Sequence, residues 1–185
     1  MGDSLTEGYG IPQSARWTDL LRHEMTADII NRGISGDTTG GMLARFQSEV
    51  IAAAPTHAII MGGTNDLWFG LSHQLVLSNY HAMLRHARLH GVQAIIGIAL
   101  PVFHEGFSDD ADHQLYQNLP DLSRRISELQ DKLRIYAIDQ NLPSIDFSKG
   151  MAPDLFLPDG VHPNEAGNLV MMKNAKKTLI KLVFT

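Results

Sequence analysis

The stretch Val92-Gln93-Ala94-Ile95-Ile96-Gly97-Ile98-Ala99-Leu100, closed by Pro101, decides the fold class. Its apolar residues run on without alternation. A strand with one wet face alternates, so this one is expected to be covered on both faces, as strands of parallel sheets are. A long segment of helical spacing, residues 72–90, precedes it and ends at Gly91, where a C-terminal glycine cap belongs. The same alternation of helix and strand extends in both directions. Residues 15–26 read as a helix with Trp17, Leu20, Leu21 and Met25 near one face, 28–31 as a short strand, 33–41 as a glycine-rich loop, 42–54 as a helix stopped by Pro55, and 57–61 as a buried strand before the Gly62-Gly63 loop. Residues 115–133 read mostly as helix with Pro120 early or at a break, 133–138 as a strand, 142–163 mainly as loop, and 164–182 as the closing helix. Strands separated by helices pair in parallel through right-handed crossovers. The expected class is α/β, with no repeat or linker, as a single domain over residues 1–185.

Composition narrows the function. Apolar residues make up 44% and charged residues 19% of the 185, an ordinary globular balance, and the net charge is −5. That charge argues against a nucleic-acid partner, which needs a basic face. With no cysteine, disulfides, thiolate metal sites and a cysteine nucleophile are excluded. No apolar run is long enough for stable membrane insertion. No signal peptide is visible, so the expected location is cytoplasmic, or periplasmic or secreted if a leader is missing ahead of Met1.

Loops beyond the carboxyl ends of parallel strands gather at one edge, which should bring together those at Gly33, Gly62, Phe103 and Asp159. Four segments there or at the amino terminus carry chemistry: Gly2-Asp3-Ser4-Leu5-Thr6, Ile34-Ser35-Gly36-Asp37-Thr38, Gly62-Gly63-Thr64-Asn65-Asp66 and Asp159-Gly160-Val161-His162-Pro163. Acyl transfer requires a nucleophile, a base, an orienting carboxylate and donors for an oxyanion, and these segments supply them.

Together they resemble the GDSL, or SGNH, hydrolase superfamily of esterases and lipases. Gly2 to Leu5 match its naming motif, Gly36 its second block, Asn65 its third, and Asp159 with His162 its closing block. The segments 4–10 and 34–38 look especially like the bacterial thioesterase/lysophospholipase branch. The resemblance implies a three-layer α/β/α sandwich around a central parallel sheet, of flavodoxin-like type. It implies a catalytic Ser4, Asp159 and His162, and an oxyanion hole from the Ser4 and Gly36 N–H groups and the Asn65 amide. It implies no cofactor and no metal. The substrate would be a small-molecule acyl ester or thioester; deacetylation of a sugar, acyl transfer to an alcohol, and a non-catalytic binding module on the same fold are the alternatives. Position 6 is threonine, so the G-x-S-x-G elbow of the α/β-hydrolases is absent.

The resembled fold also has a hydrophobic strand directly before its GDS motif. In this numbering that strand is absent and only Met1 precedes Gly2. The natural chain is expected either to start earlier or to fill the place with another segment. Asp3 and Asp66 are expected to bond their own loops. His86 and His90 are expected to face solvent. The segment 103–114, with His104, Glu105, Asp109, Asp110, Asp112 and His113, reads as a solvated loop bordering the pocket, or else a metal site. Met61, Leu67, Trp68, Phe69 and Leu71 either line an acyl pocket or pack against a helix.

Overall fold

The computed structural model describes residues 1–103 and 119–183. Three strands, β1 (His57–Ile60), β2 (Gln93–Ile98) and β3 (Ser144–Asp146), form a parallel sheet in that order. The helices among the described residues are α1 (Ser4–Glu7), α2 (Trp17–Glu24), α3 (Thr39–Glu49), α4 (Thr64–Trp68), α5 (His73–Leu89), α6 (Leu119–Asp139) and α7 (Glu165–Val183). The unbroken apolar run of β2 has a simple cause: its two faces serve two cores. Ala94, Ile96 and Ile98 pack with Met42 and Phe46 of α3, Val76, Tyr80 and Met83 of α5, and Ile126 and Leu129 of α6. Ile95, Ala99 and Leu100 pack with Trp17 and Leu21 of α2 and Met171, Met172 and Ala175 of α7. Helices therefore cover both faces, as a three-layer α/β/α sandwich requires.

Several elements differ from their expected bounds. The strand expected at 133–138 is the last third of α6. Leu122, Ile126, Leu129, Leu133 and Ala137 are all buried at spacings of three and four, which is one helical stripe. Ile135 and Ile138 lie outside that stripe and are exposed, and their apolar side chains made the segment look like a strand. The third strand instead lies at Ser144–Asp146, inside the span read as loop; only Ile145 of it is buried, too little to leave a pattern. Helix α3 starts at Thr39, three residues before its expected start, because the Thr38 side chain accepts from the Gly41 N–H. It stops at Glu49, and a 3-10 turn (Ile51–Ala53) carries the chain to Ala54 in the left-handed region. The helix expected at 15–26 is a 3-10 turn (Gln13–Ala15) followed by α2.

The residues at 28–31 form no strand. What pairing this part of the chain makes runs through Met1 and Gly2, which occupy a strand position between it and β1. The Gly2 N–H donates to the Arg32 carbonyl (3.3 Å), the Ile34 N–H to the Gly2 carbonyl (3.1 Å), and the Met61 N–H to the Met1 carbonyl (3.1 Å). The Met1 nitrogen reaches the Ile59 carbonyl at 3.0 Å. Met1 also borders an open groove of about 630 Å³, lined by Leu21, Ile29, Val50, Ala58 and Ile59 among others. Asp28, Ile29 and Ile30 border this groove, so they have no ladder to join.

Packing is close where β1 turns into the next loop. A Cβ at Gly97 would lie 2.7 Å from the Met61 Cβ and 3.2 Å from the Ile60 carbonyl. Gly97→Ala should therefore cost about 1–3 kcal/mol, as overpacked core positions do. Urea unfolding followed by circular dichroism measures this. Wild-type stability in the variant would mean that the strand and Met61 separate freely.

Candidate active site

Ser4 is the first residue of α1, a single turn that leaves the sheet at Gly2. Asp3 caps that turn, its Oδ1 accepting from the Leu5 N–H at 2.9 Å. A Cβ on Gly2 would collide with Thr6 Oγ1 at 2.1 Å, so only glycine lets the chain turn this tightly from strand into helix. Ser4 is 8% exposed and its Oγ lies 2.9 Å from His162 Nε2. The other ring nitrogen, Nδ1, lies 2.7 Å from Asp159 Oδ2. Residues 158 positions apart thus form one hydrogen-bonded relay.

The loop bearing Asp159 and His162 is braced from within. Asp159 Oδ1 accepts from the Val161 and His162 N–H groups, each at 2.9 Å. The Leu157 N–H donates to the His162 carbonyl at 2.8 Å. Burial raises the Asp159 carboxyl, but the bonds from the His162 ring and from the two backbone N–H groups, with the charge of His162, outweigh it, and the net shift is downward. The carboxylate is thus held ionised facing the imidazole. Phe103 closes the loop from the β2 side: its N–H reaches the Gly160 carbonyl and its ring meets Phe156 edge-on, 5.0 Å between centroids. The remainder of the expected acidic loop, residues 104–114, lies outside the described residues.

The second and third loops are tied to each other and to α1. Asn65, in α4, donates through Nδ2 to the Asp37 carbonyl at 2.8 Å, which leaves one amide N–H free. Gly36 stands at φ +79, with no atom within 4 Å of where a Cβ would be, so its backbone conformation calls for glycine and crowding does not. Its N–H has no acceptor among the described residues. Glu7, in the turn that begins with Ser4, accepts from the Ser35 N–H at 2.6 Å and also from the Ser35 hydroxyl. Arg45 bonds Asp37 at 2.8 Å and donates to the Gly2 and Arg32 carbonyls. Asp66 accepts from the Thr39 N–H (2.8 Å) and hydroxyl (2.6 Å), fixing α4 to the start of α3. Asp3 bonds its own loop, as expected; Asp66 does not, and instead ties its loop to Thr39 at the start of α3. Glu7 and Arg45 escaped notice in the sequence because a charged residue on a helix is usually a solvated one.

Of the apolar residues around Asn65, Met61 and Leu67 are buried in the two cores, Trp68 packs against one of them, and Phe69 is exposed. The His86 ring stacks on Phe46 and meets His90 edge-on. Among the described residues no cluster of three metal-ligating side chains occurs, and no helix is long and apolar enough to cross a membrane.

A serine, an imidazole and a carboxylate thus stand in hydrogen-bonded line beside the parallel sheet of an α/β fold. Residues 1–170 match the model of the GDSL-like lipase/acylhydrolase family, and the chain belongs to that family. It is an ester hydrolase by its relatives. It is 27% identical over 158 residues to an acetylxylan esterase of Geobacillus stearothermophilus, covering 81% of this chain and 71% of that protein. It is 25% identical over 189 residues to Esterase TesA of Pseudomonas aeruginosa, covering 99% and 87%. Among solved structures, a GDSL-like lipase from Bacteroides thetaiotaomicron superposes with a TM-score of 0.82 at 24% identity, over 99% of this chain and 87% of that one. A member of the lipolytic G-D-S-L family from Veillonella parvula gives 0.79 at 23%, over 97% and 96%. These likenesses carry the sandwich fold.

Asp3 supplies a test of the site's electrostatics. Burial pushes its carboxyl up to about 7, against the opposing pull of the Leu5 N–H and the His162 charge. Its Oδ2 is buried without a partner. Between the ordinary value of 3.8 and about 7 the native protein keeps this proton and the unfolded chain has lost it. On this account stability falls as pH rises through that window. Asp3→Asn keeps an acceptor for Leu5 and removes the titration. Its stability relative to wild type should climb steadily from pH 4 to about 7 in urea titrations. A difference independent of pH would mean that Asp3 does not titrate there.

Proposed function

We propose that the chain hydrolyses carboxylic esters or thioesters through an acyl-enzyme on Ser4. The observation that carries this is the relay Ser4–His162–Asp159, with contacts of 2.9 and 2.7 Å. His162 Nε2 takes the proton as Ser4 Oγ attacks the acyl carbon. Asp159 holds the ring in the tautomer that presents a lone pair to Ser4 and stabilises the imidazolium that forms. The negative charge on the substrate oxygen goes to the Ser4 and Gly36 N–H groups and the free amide N–H of Asn65. Each is uncharged and already fixed, so no reorganisation is needed as the charge develops. The imidazolium then protonates the departing alcohol or thiol as its bond to the acyl carbon breaks. Water, deprotonated by the same ring, releases the acid and restores Ser4.

A second substrate class, acetyl groups on a sugar, uses the same residues and is favoured by the acetylxylan esterase relative. A panel of p-nitrophenyl esters of increasing chain length, acyl-CoA and acetylated xylan separates the two.

A fluorophosphonate should add one equivalent to the intact mass of the protein, on Ser4. Ser4→Ala should remain folded, take no label, and lose on the order of 10⁶ in kcat. Label elsewhere, or more than a tenth of wild-type activity in folded Ser4→Ala, removes the nucleophile. Asn65→Ala should lower kcat by about 10²–10³ with a modest change in KM, as loss of one oxyanion donor does. A change confined to KM would assign Asn65 to substrate binding instead.

A further inference from the structure

We propose that Tyr9 is a positioning residue for His162, holding the imidazole face through a ring stack and stabilising its charged form; this rests on the catalytic roles given above for Ser4 and His162. The two ring centroids are 4.4 Å apart and the planes are inclined at 39°. The hydrogen bonds to Ser4 and Asp159 grip His162 at opposite nitrogens, in or near the ring plane. Such a pair resists movement in the plane and leaves the ring free to rock about the line joining the nitrogens. Contact on the ring face opposes that rotation, and Tyr9 provides it.

The backbone around Tyr9 is built for this placement. Gly8 and Gly10, on either side, both take left-handed φ angles, +86 and +76. The N–H groups of Gly8 and Tyr9 both donate to the Ser4 carbonyl, at 2.9 and 3.2 Å. A Cβ on Gly10 would meet Leu157, on the loop that bears His162, at 2.6 Å. The arch that carries the Tyr9 ring thus hangs from the nucleophile's own carbonyl and rests on the loop of the base. Nucleophile and base are referred to one point. Tyr9 is 53% exposed, and its hydroxyl has no partner among the described residues, so neither burial nor a hydrogen bond explains where its ring lies. The groups facing His162 are Asp159 on its own loop, and Ser4, the buried Asp3 carboxyl and Tyr9 from the α1 side. When His162 becomes an imidazolium during attack, the electron-rich face of Tyr9 lies within the range of a cation–π contact.

The experiment uses the whole chain with Tyr9→Phe, Tyr9→Leu and Tyr9→Ala, each checked for folding by circular dichroism. Steady-state kinetics on one activated ester give kcat and KM. The rate of Ser4 labelling by fluorophosphonate is measured beside them, and the His162 ring resonances are followed by NMR. Tyr9→Phe should keep kcat within about twofold, because the ring face is retained. Tyr9→Leu and Tyr9→Ala should lower kcat and the labelling rate by on the order of three- to tenfold, the range of a half-exposed cation–π contact. The His162 resonances should shift in those two variants and stay near wild type in Tyr9→Phe, as loss of a ring current requires. Leucine fills comparable space without a π face, so a wild-type rate in folded Tyr9→Leu overturns the inference, as does a loss expressed only in KM. If wild type itself takes no label on Ser4, the catalytic reading fails first, and that result is distinct from unchanged Tyr9 variants in a labelled enzyme.

Discussion

Gly2 is bonded on both sides of the backbone, and the geometry of the rest follows from that. On one side its N–H and carbonyl meet Arg32 and Ile34, while Met1 beside it receives the Met61 N–H. The chain at this point is locked in the sheet between two neighbours, and one residue later it must be in a helix. The missing side chain of Gly2 lets Thr6 fold back over it, and the capped turn sets Ser4 at the exit. Had Gly2 been free to shift, no later interaction could have returned Ser4 Oγ to within hydrogen-bond distance of a ring that arrives from the far end of the chain.

The surrounding polar residues extend that fixed point outward. Glu7 carries it to the Ser35 turn, Arg45 joins Gly2 and Arg32 to Asp37, and Asn65 closes the circuit onto the Asp37 carbonyl. The bonds of Glu7 and Arg45 are charge-assisted and stronger than neutral ones, that of Asn65 is neutral, and most of them go to backbone groups that do not titrate. Pre-positioned N–H groups are what the oxyanion role proposed for Ser4, Gly36 and Asn65 calls for.

Much of this was legible in the sequence, for identifiable reasons. The strand at 92–100 and the helix before it were clear because long apolar runs and glycine caps leave signals that tertiary context does not overwrite. The four chemistry-bearing segments were readable because they resemble, in order, the motifs of one hydrolase family; of them, the Gly62 loop sits directly at the end of a strand, where topology gathers such loops. What failed was local. The end of α6 carried Ile135 and Ile138 on its wet face, and a three-residue strand with one buried side chain had no period to detect. Residues 28–31 have the composition of a strand and lack the ladder. The residues that orient the site, Glu7, Tyr9 and Arg45, were invisible for another reason: their roles depend on partners in other loops, and no spacing along the chain encodes them.

The groove beside Met1 links an apolar wall to the site. Met1 is 9% exposed, its nitrogen lies 3.0 Å from the Ile59 carbonyl, and Leu21, Val50 and Ala58 share the wall around it. A change of volume in that wall would bear on the backbone bonds of Met1 and Gly2 and, through the turn that follows, on where the Ser4 hydroxyl sits.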